Sequence, residues 1–511
     1  GLLVHAEAYR HEYPFCWRAD QDPLIQFARP AWYIRTTELI ERAIENNQHV
    51  SWLPEHIQGG RFGDFLRNNV DWALSRERYW GTPLNVWVND VSGKMEAPAS
   101  VAAILAKNPR AFDHFEAAKK ADPTLSEHLA VHKPWIDQVS WENPGEPGVY
   151  RRVPEVIDCW FDSGCMPFAQ WGFPHAPGSK EAFAKAFPAD FISEAIDQTR
   201  GWFYSLLMIS TLVFDEATQR ELGLEPRALP HPYKTCVVLG HVCDKEGKKE
   251  SKSKGNYTPP EVILEKVRME FAALASSEGL EPGVAYIARE DYEGLDLTGS
   301  SAKVVLYREG AEDRVGFELR PAPASLVLPG GKKKLPRRIV ALSPADAAKL
   351  GLEPSEGALS VSPVEVPRLP STQKLWIEDP TSPAPGADAF RWFFYASSPS
   401  WTNTRHSLTN VRLEQKEFQV KLRNVYSFFT IYANIDRFDP ARGNAAASDV
   451  DGASLARSQG YRPVKERSEL DRWVLSELSL AVTKLTEALD AYLLYDAAGA
   501  LVELVEGVSN W

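Results

Sequence analysis

The chain has 511 residues, 44% of them hydrophobic and 25% charged, which are ordinary values for a globular protein of two to four domains with a real core. A net charge of −12 excludes a basic nucleic-acid coat, so any nucleic-acid contact must come from local patches. The sequence shows no signal peptide, no apolar run of about 18 residues and no C-x-x-C pair among its five cysteines, which together predict a cytoplasmic protein.

Residues 1–266 are rich in aromatic side chains, and short β-like runs alternate with helical patterns, which predicts an α/β layer. The stretch "RRVPEVIDCWFDSG" is typical of a strand that runs into a turn. The stretch "ADFISEAIDQTRGWFYSLLMIS" predicts a strand, a polar turn and then a helix that begins near Thr199 and buries one face.

Residues 267–385 have fewer aromatic side chains and several short alternating runs, which predict a small β-rich insert of unknown role. Within it, "SPADAAKLGL" predicts a helix with Ser343 as N-cap, Pro344 at its first position and Gly351 near its end. The basic cluster "GKKKLPRR" at 331–338 fits either a solvated turn or a contact with tRNA or phosphate.

Residues 386–511 form the last part of the chain. From Ala387 onward, their pattern predicts an all-α helical bundle. Ser468 and Asp471 have capping-box spacing. Two apolar stripes at helical spacing are expected to form the core of this bundle: Phe418, Leu422, Val425, Phe429 and Tyr432 in one, and Trp473, Val474, Leu478, Val482 and Leu485 in the other.

Three polar segments follow predicted strands of the first part. "KKESKSKGN", 248–256, holds four lysines in nine residues and fits a solvated loop or a polyphosphate-binding loop. "SEAIDQTRGW" offers acceptors and an amide for an ammonium group and ribose hydroxyls, although polar residues also open helices. "DCWFDSG" is the third. If the sheet is parallel, all three converge on one crevice.

Six segments, in order, resemble isoleucyl-tRNA synthetase, a class I aminoacyl-tRNA synthetase. Its signature loop, usually Lys-Met-Ser-Lys-Ser, is similar to "KESKS" at 249–253. The other five are "WLPEHIQGGRFGDFL", "LSRERYWGTPL", "DCWFDSGCMPFAQW", "EAIDQTRGWFYSLLMIS" and "GADAFRWFFYASSPSWTNTRHS". The resemblance implies a Rossmann-like catalytic layer, of which 1–266 is the second half, entered from the end of an editing insertion. It also implies that 386–511 is the stem-contact region and the start of the anticodon-binding bundle.

The resemblance implies a reaction and its partners: isoleucine attacks ATP, with Mg²⁺ expected, and the acyl group passes to tRNA(Ile) on a monomeric enzyme. Lys249 and Lys252 then match the catalytic lysines. The expected ATP-binding residues are Lys252, Ser251, Ser253 and Gln198, and the residues expected to contact the aminoacyl-adenylate are Glu194, Asp197, Trp160 and Trp202. Each tryptophan also fits ordinary core.

The sequence departs from the family pattern in the insert 267–385, which the family does not have at this point, and in three further places. Glu250 replaces the usual Met and is expected to point outward, because an acid would repel a triphosphate. "CWRAD" keeps Cys16 but has Ala19 in place of the second cysteine, so no zinc is predicted. The 511 residues contain no His-x-Gly-His signature, and we expect a fragment of a longer enzyme, inactive alone. Alternatives are a non-catalytic paralogue that binds RNA or amino acid, and a valyl-tRNA synthetase.

Overall fold

The structure is a computed structural model, and it describes residues 5–8, 13–16, 19–25, 27–251, 256, 268–275, 280–295, 301–308, 311, 313–323, 326, 335–352, 374–378, 385–436 and 463–510. The chain divides into two compact units. The first unit is Gly1–Ile192 with Asp197–Cys236, and the second unit is Ser193–Ile196 with Val237–Trp511. Within the ranges given above, none of the helices has the length and apolar content to cross a membrane.

The first unit mixes short helices and short strands. Its α-helices are Ile40–Gln48, His56–Gly59, Arg61–Arg67, Val101–Lys107, Asp113–Ala121, Cys159–Gly164, Met166–Ala169, Ser179–Ala186, Trp202–Val213 and Glu216–Glu221. Its strands are Phe15–Cys16, Ala19–Pro23, Tyr33–Ile34, Ser51–Leu53, Trp72–Ala73, Ser75–Arg76, Trp87–Asn89, Met95–Glu96, Ser140–Trp141, Tyr150–Arg152 and Val156–Ile157. Strands Ala189–Ala195 and Tyr233–Leu239 begin in this unit, and their last residues belong to the second.

Four aromatic side chains form a cluster in the first unit. Trp52 packs against Phe62, Phe203 and Tyr233, with ring centroids 4.8, 5.8 and 6.4 Å away. The buried Tyr233 hydroxyl donates to the carbonyl of Phe203 at 3.1 Å. Burial of three rings around a tryptophan, with the one hydroxyl satisfied, stabilises this packing.

The strand predicted before "DCWFDSG" forms, but it is not part of a shared parallel sheet. Val156–Ile157 pairs antiparallel with Ser75–Arg76 in a separate two-stranded sheet. The predicted turn after it is wrong, because Cys159–Gly164 is a helix that Asp158 caps. The condition on which the predicted convergence rested, a shared parallel sheet, is therefore not met for this segment. The helix predicted near Thr199 begins at Trp202, after a 3₁₀ turn at Ile196–Arg200.

Six strands of the second unit close into a barrel. Two of them, with sequences VAYI and IVAL, have every side chain buried and so show no alternation of apolar and polar residues. The order around the barrel is Arg268–Ala275, Ile339–Leu342, Val284–Ile287, Val315–Pro321, Ala302–Arg308 and Lys374–Glu378. Among the described residues, the helices between its strands are Arg289–Gly294 and Pro344–Lys349.

The barrel consists of two equivalent halves, each with two strands, a helix of six residues and a third strand. The register follows a twofold axis, because Tyr286 pairs with Ala341 and Leu306 pairs with Ile377. In both pairs, a residue of one half meets its own counterpart in the other half. The register therefore identifies an internal twofold repeat of the backbone.

Each half caps the other in the same way. Asp291 accepts a hydrogen bond from the backbone N–H of Arg338, and Asp346 accepts one from Gly283 at 2.7 Å. Arg338 and Gly283 each precede a fully buried strand, and their φ angles are 59° and 79°. The Nε of Arg337 also donates to Asp291 at 3.1 Å, so this part of the predicted basic cluster serves the barrel itself.

The predicted helix at "SPADAAKLGL" is confirmed in its details. The Ser343 hydroxyl accepts from the backbone N–H of Asp346 at 3.2 Å, and Pro344 occupies the first position. Gly351 follows the helix with a φ of 64°. The stretch "ASLVLPGG", predicted as β-like, lies mostly outside the described residues.

The last part of the second unit is helical, as predicted, but its core differs from the predicted stripes. Half of the predicted residues are exposed, namely Leu422, Phe429, Tyr432, Leu478 and Val482. The other half are half-buried, namely Phe418, Val425, Trp473, Val474 and Leu485. The two longest helices instead meet through small side chains, which allow close approach, and the buried ones are Ala481, Ala488, Ala497, Ala498, Ala500 and Val505. The helices are Ala387–Ala396, Leu408–Gln415, Lys421–Ile435, Glu469–Asp490 and Leu494–Asn510, with a π-helical turn at Lys416–Val420. The Ser468 cap is confirmed, since its hydroxyl accepts a hydrogen bond from the backbone N–H of Asp471 at 3.2 Å.

Replacing residues 267–385 by a short linker is expected to leave the remaining chain folded but with a lower thermal midpoint. Leu408, on the helix after the barrel, is 1% exposed and belongs to the barrel's core cluster, so the deletion uncovers it. Leu408→Ala should cost about 2–5 kcal/mol in the intact chain and almost nothing in the deletion variant. Thermal unfolding of the four proteins measures this difference. If Leu408→Ala lowered the stability of the intact chain and of the deletion variant equally, Leu408 would not pack against the barrel.

Candidate functional site

The helix that carries Trp160 is fixed by a buried aspartate. Asp158 is 5% exposed, and its Oδ1 accepts from the backbone N–H of Trp160 at 3.4 Å. Its Oδ2 accepts from Arg76 at 2.7 Å and from the indole of Trp72 at 3.1 Å. These contacts tie the segment "LSRERYWGTPL" to "DCWFDSG" and hold Trp160 at the surface, where 37% of it is exposed. Sequence reasoning assigned no role to Asp158 or Arg76, although an aspartate directly before a helix is an N-cap signal.

Trp202 is held by two hydrogen bonds at the start of its helix. Its backbone N–H donates to Oε1 of Gln198 at 3.0 Å, and its indole N–H donates to the carbonyl of Ser163 at 3.1 Å. The Gln198 amide in turn donates to Asp197 at 3.2 Å. Gln198 thus acts as a cap that satisfies one backbone donor of the helix.

Gly201 allows Trp160 and Gln198 to approach each other. A methyl group added at Gly201 would lie 2.6 Å from Gln198 Oε1 and 3.0 Å from Cη2 of Trp160. A side chain would therefore displace one of them. The first unit consequently brings Trp160, Trp202, Gln198 and Asp197 into one cluster.

The lysine loop of the second unit follows a short strand. Val242–Cys243 pairs parallel with Thr404–Arg405. Asp244 then closes a tight turn, in which its carboxylate accepts from the backbone N–H of Lys248 at 2.8 Å. After the turn, Lys249 is exposed to solvent. The predicted site residues Lys252 and Ser253 lie outside the described residues.

Asn256 holds this loop together, although no role was predicted for it from the sequence. Its amide donates to Asp244 at 2.7 Å and to the carbonyl of Lys249 at 3.2 Å, and its oxygen accepts from the backbone N–H of Ser251 at 3.0 Å. Partial burial raises the pKa of Asp244, but the hydrogen bond from Asn256 and those from two backbone N–H groups outweigh it, so the net pKa is lowered. Asp244 is therefore a carboxylate at neutral pH and keeps accepting these bonds.

The expectation that Glu250 points outward is wrong. Its side chain is only 18% exposed, and Oε1 lies 3.3 Å from Nδ1 of His406. The loop thus turns its acidic residue toward the protein and its lysine toward solvent. Because like charges repel, this arrangement suits an anion next to Lys249.

Glu194 is exposed near the end of strand Ala189–Ala195, and its stretch, Ser193–Ile196, belongs to the second unit. In the part of the chain that the structure describes, no three His, Cys, Asp or Glu side chains are grouped to hold a metal ion. Cys16 lies in the short strand Phe15–Cys16. That the chain binds no zinc stays a prediction.

Iodoacetamide at pH 8 is expected to modify Cys159 and to spare Cys165 in the folded chain. Cys159 is exposed, whereas burial, and then the charge of Asp162, raise the pKa of the Cys165 thiol to about 12. A raised pKa lowers the reactive thiolate to about one part in ten thousand at pH 8. Peptide mass spectrometry, with guanidinium-unfolded protein as control, measures the labelling. Equal modification of the two thiols in folded protein would show that helix Cys159–Gly164 is placed wrongly.

Comparison with known proteins gives one family. Residues 16–405, more than half of the chain, match the family model of the tRNA synthetases class I (I, L, M and V). The whole chain is 32% identical to isoleucine–tRNA ligase of Clostridium novyi (strain NT), 34% to that of Bacillus thuringiensis (strain Al Hakam) and 32% to that of Dehalococcoides mccartyi (strain ATCC BAA-2266 / KCTC 15142 / 195). It spans about a third of their length, 33%, 33% and 34%. A solved LeuRS–tRNA–LeuAMS complex from Agrobacterium radiobacter K84 can be superposed on 89% of this chain, and the match includes 39% of the LeuRS chain. The sequence identity is 13% and the TM-score is 0.42.

Proposed function

We propose, from the premise that this chain belongs to the class I tRNA synthetases, that it is part of an enzyme that activates isoleucine with ATP and transfers it to tRNA(Ile). The observation that carries the proposal is the anchored lysine loop, which presents Lys249 to solvent and turns Glu250 inward. The identity of about a third to isoleucine–tRNA ligases along the whole chain supports isoleucine as the amino acid.

The reaction has two steps. A carboxylate oxygen of isoleucine attacks the α-phosphorus of ATP, and the bond to pyrophosphate breaks, which leaves isoleucyl-adenylate. A tRNA hydroxyl then attacks the acyl carbon, and AMP leaves. Catalysis of the first step requires that reactants are positioned and that charge developing on the phosphates is stabilised. Mg²⁺ would arrive on the triphosphate as part of the substrate.

We assign the residues of this chain to those tasks as follows. Lys249 and Lys252, with Ser251 and Ser253, hold the triphosphate. Trp160 and Trp202 form the walls of the isoleucine pocket. Glu194 and Asp197 contact the aminoacyl-adenylate, and Gln198 contacts the ribose of ATP. The proposed domains are 1–266 for catalysis, 267–385 for the barrel insert and 386–511 for tRNA, in a monomer.

Binding of a non-hydrolysable isoleucyl-adenylate analogue to the 511-residue chain tests this function. Calorimetry is expected to show binding that Trp160→Ala weakens at least tenfold. Trp171→Ala is the matched control, because Trp171 is as exposed as Trp160, 38% against 37%, and lies outside the cluster. Equal affinity of the two variants, or tighter binding of a valyl-adenylate analogue, would contradict the proposal.

A further inference from the structure

Glu250 stands where the resembling family usually has a methionine, directly beside Lys249. Its backbone N–H donates to the carbonyl of Val242 at 3.0 Å, and Lys249 forms an antiparallel bridge with Cys243. These bonds fix the backbone of the loop at this point. They determine which side of the loop each side chain occupies.

The side chain of His406 is more deeply buried than that of Glu250. Its side chain is 2% exposed, and its backbone N–H donates to the carbonyl of Cys243 at 2.8 Å. Its ring lies against three rings of helix Ala387–Ala396, at centroid distances of 5.1 Å to Phe390, 5.9 Å to Phe393 and 6.3 Å to Phe394. A ring enclosed in this way keeps its orientation, with Nδ1 directed at the Glu250 carboxylate.

We propose that His406 is a positioning residue of the lysine loop, which acts by holding the Glu250 carboxylate away from the phosphate-binding side of Lys249. The proposal rests on the proposed function, because it assumes that Lys249 meets an anion. A proton on Nδ1 is donated to the carboxylate, which satisfies a half-buried acid. Without His406, the carboxylate would have to face aromatic rings or turn to solvent, where its charge repels phosphate. The pair thus makes an acidic residue compatible with an anion-binding loop.

Four proteins test the positioning: the 511-residue chain, His406→Phe, Glu250→Met and the double variant. Phenylalanine suits the aromatic surroundings of position 406, and methionine removes the charge. Hydrogen exchange of peptides covering 242–251, followed by mass spectrometry, reports the loop without any ligand. We expect His406→Phe to speed exchange about tenfold and the double variant to restore it, because two apolar side chains can pack together. Exchange in His406→Phe equal to that of the unchanged chain would overturn the proposal.

Binding of inorganic pyrophosphate, measured by calorimetry at low salt, then tests the electrostatic consequence. We expect the dissociation constant to rise about fivefold in His406→Phe, to return in the double variant, and to become independent of the variant at high salt. A loss that the double variant does not rescue would mean a purely structural role for His406 and would overturn the proposal. If none of the four proteins binds pyrophosphate, the proposed contact of Lys249 with an anion fails in this chain, and the exchange rates alone decide the positioning.

Discussion

Replacing Lys252 by alanine, in a full-length enzyme that contains this chain, is expected to lower the maximal rate of isoleucine-dependent pyrophosphate exchange by about a hundred- to a thousandfold. The physical reason is that a cation beside the transferring phosphoryl group stabilises charge that develops only in the transition state. The affinity for isoleucine should change little, because the lysine acts on charge that develops on the phosphates and not on the amino acid in its ground state. Isotope exchange between pyrophosphate and ATP measures the rate.

Lys245→Ala is the matched control for this experiment. Lys245 is an exposed lysine of the turn that Asp244 closes, so it has the same charge a few residues earlier. Its replacement should leave the rate within about twofold, since a solvated charge at that distance is screened. An unchanged maximal rate in Lys252→Ala would remove that residue from the proposed mechanism.

Gly240→Ala is expected to destabilise the second unit by about 3 kcal/mol or more and to release the lysine loop. Gly240 directly follows strand Tyr233–Leu239, and its N–H donates to the carbonyl of Ser400 at 2.9 Å. A methyl group there would overlap the carbonyl group of Thr402 and lie 2.7 Å from the backbone nitrogen of Asn403. Because the obstacle is backbone, no side-chain rotation relieves it. Urea unfolding and hydrogen exchange of residues 240–251 measure the two effects.

Gly499→Ala is the control for that substitution. Gly499 lies inside helix Leu494–Asn510, and an added methyl group meets no atom within 4 Å. Alanine is the better helix former, so this variant should be more stable by up to about 1 kcal/mol. If Gly240→Ala were as stable as the unchanged chain, the close approach between the loop and residues 400–403 would be wrong.

Local signals in the sequence were sufficient to predict where a helix starts, because a single side chain can determine that position. Ser343 and Pro344 fixed the start of a helix, and Ser468 fixed another, because a side-chain cap and a restricted φ act within a few residues. The cluster of Trp160, Trp202 and Gln198 followed from the family resemblance rather than from spacing. Asp158, which fixes one of these side chains, was missed because its partners Arg76 and Trp72 are more than 80 positions away.

Features that depend on distant partners could not be predicted. The strand VAYI is too short and too uniformly apolar to distinguish from helix, and only strand pairing closes the barrel. Apolar spacing also predicted the wrong contact residues in the last helices. Leu478 and Val482 repeat at helical intervals but are exposed, whereas Ala481 and Ala488 carry the contact. Periodicity finds an apolar face, but it does not identify the face on which a neighbouring helix packs.

The barrel begins and ends at adjacent positions. Arg268, in its first strand, pairs with Glu378, in its last, and paired antiparallel residues lie about 5 Å apart. The two chain segments that flank the barrel are therefore separated by no more than the two strands of a β-hairpin. This separation does not depend on the number of residues in the barrel. A segment with this geometry can be gained or lost in evolution without moving the residues on either side, because the gap to be bridged stays the same. Relatives that differ greatly in length between the lysine loop and helix Ala387–Ala396 can consequently keep both elements in place.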